Sequence, residues 1–336
     1  MDFTNYSLLI FIIVNILLVA NFKKIEFFQH ILDIPDKKRK FHQKKTPLAG
    51  GIILIINILI YFIFVNFDDQ YLLIEIFYNN KLEFFVFICA SFIIFLIGLF
   101  DDKYNLSPNY KFLLLSIVIL IVLALDDNLI ISTIKFSFFD KTINFNQYSI
   151  FFTCFCFLVF LNAFNMFDGI NLQASFYSIV ILSSITIFYI NSLFVNILLI
   201  YLICYSFLNY QNKSFLGDSG SLLIAFIIGY IFIKLYNVEK IIYVDEVFIF
   251  MMIPGIDLIR LVFKRALNRQ NPLRGDRDHL HHLVSAKFLL VKSTMIIQFL
   301  IIAPLLLMYL GVNKFFIIII TIVCYILLLY KLKKIT

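Results

Sequence analysis

Tryptophan is absent from this 336-residue sequence, and charge is scarce: 15% of residues are Asp, Glu, Lys or Arg while 62% are hydrophobic. A soluble domain carries about 25% charged residues, so the balance excludes that class and marks an integral membrane protein. The missing Trp stands beside 42 Phe and 18 Tyr, with Ile, Asn and Lys also heavily used. That pattern reflects base composition acting on codon choice, so Phe stripes carry no functional weight. The five cysteines, Cys89, Cys154, Cys156, Cys204 and Cys324, fall in apolar runs and form no CxxC pair, which excludes a disulfide framework and a cysteine-based zinc site. No Gly/Ser linker or internal repeat divides the chain, so 1–336 reads as a single polytopic domain.

Eleven apolar runs are long enough to cross roughly 30 Å of hydrocarbon as helix. They lie near 6–22, 49–66, 83–100, 112–125, 148–164, 174–190, 193–209, 220–236, 244–262, 293–311 and 314–330. The fold expected is therefore all-α with about eleven transmembrane helices. No basic residue precedes the first run and Lys23 and Lys24 follow it, the pattern of an uncleaved span with its N-terminus outside. Alternation then puts the gaps after odd-numbered spans, and the C-terminus, in the cytoplasm. The basic residues test this independently: the inner set includes Lys37 to Lys40, Lys44, Lys45, Lys103, Lys111, Lys264, Arg265 and Arg277, the outer only Lys81, Lys135, Lys141, Lys234, Lys240 and Lys314. The net charge of +7 thus belongs to the cytoplasmic face and suits anionic lipid headgroups or a phosphorylated substrate. Nucleic acid is not an expected partner, because the basic residues are split among short loops.

Three Asp-Asp pairs provide an internal control. Asp68/Asp69 and Asp126/Asp127 fall on the outer side and read as solvated turn residues. Asp101/Asp102 face the basic side, directly at a span end, with Lys103 and Lys111 nearby. Four further polar clusters land in cytoplasmic gaps: DIPDKKRKFHQKKTPLAGG (33–51), NAFNMFDGINLQ (162–173), FLGDSGS (215–221) and NPLRGDRDHLHHL (271–283). Candidate catalytic loops therefore lie near 23–48, 101–111, 165–173, 210–219 and 263–292. Asp257 and Arg260, three apart on a helix, are expected to pair. His279, His281 and His282 lack a suitably spaced Cys, and His281 would point away from the other two on a helix. An anion-handling loop fits them better than zinc. Asp218, between glycines before a span, can present a carboxylate beside backbone N–H groups, where Mg²⁺ would bridge protein and phosphate oxygens. Carboxylates, cations and a His-rich loop on one membrane face make an inventory for phosphoryl transfer.

In order and position, GLFDDKYNLSPNYK, NAFNMFDGINLQ, FLGDSGSL and PGIDLIR…NPLRGDRDHLHHL resemble the polyprenyl-phosphate N-acetylhexosamine-1-phosphate transferase family, glycosyltransferase family 4. That family includes MraY and the WecA/TagO enzymes of O-antigen, common-antigen and teichoic-acid synthesis, and the HLHH form is more similar to WecA/TagO. The resemblance implies transfer of a sugar 1-phosphate from a UDP-N-acetylhexosamine, first of all UDP-GlcNAc, to undecaprenyl phosphate, with Mg²⁺ or else Mn²⁺ and release of UMP. It implies a bacterial inner-membrane enzyme of envelope glycan synthesis with its active site in the cytoplasm, and leaves room for a homodimer. By match, Asp101 and Asp102 would stand at the reaction centre or help Asp218 hold metal, and Asp168, His279, His281 and His282 would be catalytic. Phe215 would stack on uracil, Arg277 would bind the diphosphate, and Lys45, Thr46, Lys111 and Asn165 would line the site. Asn171 stands where the family motif NxxDGxD has its last aspartate, which predicts altered nucleotide affinity or sugar choice. Two alternatives compete: a UbiA-type prenyltransferase, for which NMFDGIN supplies too few acids, and a transporter or scaffold, for which midplane polar residues would be expected.

Overall fold

The computed structural model describes residues 3–34, 44–67, 78, 80–270 and 278–334. Among them, eleven long helices follow the eleven apolar runs: α1 (Phe3–Ala20), α2 (Gly50–Phe67), α3 (Lys81–Tyr104), α4 (Pro108–Leu125), α5 (Ser149–Phe167), α6 (Gln173–Phe188), α7 (Leu193–Tyr210), α8 (Gly217–Asn237), α9 (Val244–Leu267), α11 (Leu290–Tyr309) and α12 (Lys314–Lys334). A short α10 (Leu280–Ser285) follows α9. Seven of these helices are long and apolar enough to cross a membrane, and Tyr6–Ala20, Gly50–Asn66 and Gln173–Phe188 are shorter apolar stretches. The chain is an all-α membrane protein. Among the described residues, β1 (Leu32–Asp33) pairs with β2 (Thr46–Pro47) and β3 (Thr133–Phe136) with β4 (Phe139–Asn144), both antiparallel.

Local sequence sets the helix ends. The α3 N-terminus is capped by Asn80, whose Oδ1 accepts the Glu83 N–H at 2.8 Å, and its C-terminus by Asn105 in the left-handed region. The α4 helix begins earlier than its hydrophobic run, because Ser107 caps it and Pro108 occupies its first turn. In the apolar interior, Asn15 of α1 and Asn57 of α2 satisfy each other reciprocally at 2.7 and 3.1 Å, as buried amides must.

The α8 helix is the central element, buried along nearly its whole length. It runs antiparallel to α3, and the two approach closely where Gly98 meets Ser219: a Cβ on residue 98 would lie 2.4 Å from the Ser219 Cα. At the far end, Lys234 Nζ donates to Glu83 Oε2 and to Asp126 Oδ1, both at 2.8 Å. The Tyr230 hydroxyl adds a bond to Asp126 Oδ2 at 3.0 Å, and Asn128 donates to Glu83 Oε1 at 2.8 Å. Glu83, Asp126 and Lys234 are 3%, 1% and 2% exposed. Asp126 is therefore no solvated turn residue as its sequence context suggests: it is one of two carboxylates clamping a buried ammonium between α3 and α8. Its outer companions Asp68 and Asp69 lie outside the described residues. The β3–β4 hairpin covers this end, with Ser137 N–H donating to Asp245 Oδ1 at 2.8 Å and Lys135 N–H to the Tyr236 hydroxyl at 2.9 Å. From Lys234 back to Asp218, α8 spans about 24 Å at 1.5 Å per residue, which puts the second polar centre at the opposite end of the bundle.

Candidate active site

That second centre is assembled from loops distant in sequence. The Phe215 N–H donates to Pro47 O at 2.9 Å, and the N–H groups of Gly50 and Gly51 donate to Phe215 O and Leu216 O, each at 3.1 Å. The TPLAGG segment is thereby zipped to the FLGD segment, delivering Phe215 and Asp218 to the start of α8. Around them lies a cavity of about 610 Å³ lined by Asp101, Asp102, Asn165, Asp168, Phe215 and Asp218, with Asp33, Leu48, Asn171, Asn209, Asn212 and Ser285 further along its wall.

The adjacent aspartates have separate attachments. Asp102 accepts the N–H groups of Asp218 (2.7 Å) and Ser219 (3.0 Å), so its negative charge sits on the positive end of the α8 dipole. Asp101 accepts from Lys111 Nζ at 2.6 Å and from the Leu106 N–H at 2.8 Å. Asp218 Oδ1 accepts from Asn165 Nδ2 at 2.5 Å, and its Oδ2 is 3.6 Å from Lys111 Nζ. Asn165 also reaches the Ser221 hydroxyl at 2.7 Å. Lys111 thus bridges two carboxylates that would otherwise repel. Asp168, just past the end of α5, lines the same cavity, and its carboxyl is pushed up to about 7 by burial and then by the charge of Asp218.

Of the sequence candidates, Asp101, Asp102, Asn165, Asp168, Asn171, Phe215 and Asp218 share this wall, and Lys111 stands beside it. Thr46 is buried in β2 and Lys45 is exposed at its edge; from that segment the wall takes Leu48. His279 and His281 are buried behind the cavity. The helical-wheel expectation for His281 fails, because His279 precedes α10 in extended conformation. The rings of His281 and His282 lie 4.2 Å apart and those of His279 and His281 5.4 Å. His281 packs against the DG turn so closely that a Cβ on residue 169 would meet its Nε2 at 1.9 Å. Burial and the two neighbouring histidines hold the His281 pKa well below the usual imidazole range. The expected Asp257–Arg260 pair forms at 2.8 Å. Arg277, with 35–43 and 271–276, lies outside the described residues.

Two wall residues, Asn209 and Asn212, escape the sequence reading; their one signal is a pair of amides three apart where an apolar run ends. They explain Asn171. Its Nδ2 donates to the backbone carbonyl of Asn209 at 2.8 Å and to Asn212 Oδ1 at 2.7 Å, bonds a carboxylate cannot make. Asn171→Asp, the family residue, should therefore lower thermal stability by about 1–3 kcal/mol by setting a carboxylate against two oxygens. Unchanged melting of the variant would show that the amide cluster contributes nothing.

Residues 84–236 match the sequence model of glycosyl transferase family 4. Among curated proteins, the undecaprenyl-phosphate alpha-N-acetylglucosaminyl 1-phosphate transferase of Salmonella typhi is 26% identical over 262 residues, 73% of this chain and 67% of its own length. The Yersinia pestis protein of the same name is 26% identical over 275 residues (78% and 71%). The probable undecaprenyl-phosphate N-acetylglucosaminyl 1-phosphate transferase of Bacillus subtilis is 27% identical over 278 residues (78% and 72%). The matched stretch runs from the second turn of α3 through α8 and holds most of the cavity's acidic residues, and over about three quarters of its length the chain is similar to these bacterial transferases.

Proposed function

We propose that the protein transfers N-acetylglucosamine 1-phosphate from UDP-N-acetylglucosamine to undecaprenyl phosphate, releasing UMP and starting a lipid-linked envelope glycan. The observation that carries this reading is the convergence of Asp101, Asp102, Asn165, Asp168, Phe215 and Asp218 on one cavity at one end of an apolar helix bundle. The names of the relatives support undecaprenyl phosphate as the acceptor and N-acetylglucosamine 1-phosphate as the group transferred. The bias of basic residues toward the same end supports eleven spans, an outside N-terminus and a site facing the cytoplasm of a bacterial inner membrane.

The acceptor's phosphate oxygen attacks the sugar-bearing phosphorus of the donor, the bond from that phosphorus to the UMP oxygen breaks, and UMP leaves with the electron pair. Asp168 and Asp218 would hold the cation. Their oxygen-only donor set suits Mg²⁺, which takes one or two carboxylates and completes its shell with substrate phosphates. Bound there, Mg²⁺ would neutralise the diphosphate and the developing charge on the leaving phosphate. Lys111 adds a cation at the same wall, held in place by Asp101. Asp102 keeps the α8 N-terminus where its N–H dipoles and the Asp218 carboxylate face the diphosphate, and Asn165 orients Asp218. Phe215 offers a flat apolar face for the uracil, and the buried histidines back the Asp168–Gly169 turn of the wall.

The test is an assay of the purified protein with undecaprenyl phosphate, Mg²⁺ and a panel of UDP-N-acetylhexosamines, read as UMP release, with Asp101→Asn beside it. UMP formed from one donor, lost on chelation and strongly reduced in the variant, is expected. Folded protein releasing no UMP from any donor would overturn the reading.

A further inference from the structure

The carboxylate of Asp257, on α9, is a junction of three helices. Its Oδ2 accepts from His279 Nδ1 at 2.8 Å. Its Oδ1 accepts from Arg260 Nη2 at 2.8 Å and from the Tyr325 hydroxyl at 2.6 Å. Both oxygens lie 3.2 Å from the Leu280 N–H, at the start of α10. Arg260 Nε donates back to the Tyr325 hydroxyl at 2.9 Å, closing a ring of bonds. Tyr325, Asp257 and His279 are 1%, 3% and 4% exposed, so these bonds form where water does not compete.

Tyr325 belongs to α12, far outside residues 84–236. The buried face of that helix is Ile317, Thr321, Tyr325, Leu329 and Leu332, and the Thr321 hydroxyl bonds only its own helix, at Ile317 O. Tyr325 therefore stands out on this face as the side chain that reaches another helix through a polar group. Because Asp257 is an acceptor, the proton of a neutral His279 must sit on Nδ1, which leaves the Nε2 lone pair 3.5 Å from Arg265 Nη2. His279 in turn stacks beside His281, the ring packed on the Asp168–Gly169 turn of the cavity wall.

We propose that Tyr325 is a positioning residue: by orienting the Asp257 carboxylate it fixes the placement of His279, and with it the seating of the histidine loop against the catalytic wall. The kinetic part of this inference rests on the transferase reading; the spectroscopic part does not. Tyr325→Phe removes one oxygen and keeps the ring, and Thr321→Val alters the same helix face without touching Asp257. With histidine ¹⁵N labelling of the protein, the His279 Nδ1–H held by Asp257 should give one sharp signal in wild type and in Thr321→Val, and a shifted, broadened one in Tyr325→Phe as the carboxylate loses its fixed orientation. In the UMP assay, Tyr325→Phe should lower kcat about tenfold, the equivalent of one bond to a charged group, with KM for the UDP-sugar unchanged; Thr321→Val should match wild type. An unaltered His279 signal in Tyr325→Phe, or equal losses in both variants, would overturn the proposal. Absence of UMP from wild type would count against the transferase reading alone, leaving the spectrum to decide the role of Tyr325.

Discussion

Asp218→Asn should reduce UMP release at least a hundredfold, about 2.7 kcal/mol of transition-state stabilisation, and shift any residual activity to higher Mg²⁺ concentration. The argument is electrostatic. Asp101, Asp102, Asp168 and Asp218 line one cavity with Lys111 as the cation between two of them, an arrangement that repels itself until a further cation enters. Removing the charge of Asp218 relieves that repulsion, and an asparagine oxygen can still accept from Asn165. Thermal stability without substrate should thus hold or rise while turnover collapses, a split that a structural role would not produce. Near-wild-type turnover at an unchanged Mg²⁺ requirement would remove Asp218 from the metal site.

Lys234→Met is expected to have the opposite profile. It leaves Glu83 and Asp126 buried at the far end of α3 and α8 without their ammonium, and breaking such a pair from one side costs about 3–5 kcal/mol. Unfolding in detergent micelles should shift to markedly lower temperature, while the fraction still folded keeps its specific activity, since the cavity lies at the other end of α8. Adding Glu83→Gln and Asp126→Asn to Lys234→Met should recover much of the loss, because neutral amides no longer need a counter-ion. A single variant that melts with wild type would show that water or lipid headgroups reach the cluster and that the clamp contributes little.

The difference between these two acidic sites also marks how far the chain could be read in one dimension. Asp101/Asp102 and Asp126/Asp127 look alike in sequence: each pair sits at the end of an apolar run. The surrounding motifs and the bias of basic residues single out the first pair, which lines the cavity, but nothing local to Asp126 announces Lys234, which lies more than a hundred residues away inside an apolar run. Asn171 shows the same limit. Its departure from the family aspartate is visible in the sequence, while its reason, two oxygens from the end of α7, appears only when that helix packs beside the DG turn.

The sequence by itself determined the membrane class, the eleven helical runs and most of the residues around the cavity, because each depends on local quantities: hydropathy along a run, capping residues, or a motif within a dozen positions. Tertiary structure alone decided which charges neutralise one another, that Asp102 serves the start of α8 while Asp101 serves Lys111, that Asp126 is clamped and buried, and that Tyr325 joins the histidine loop. Those outcomes depend on distances of about 3 Å between groups far apart in the chain, and in a low-dielectric interior such distances decide whether a charge is stabilising or ruinous.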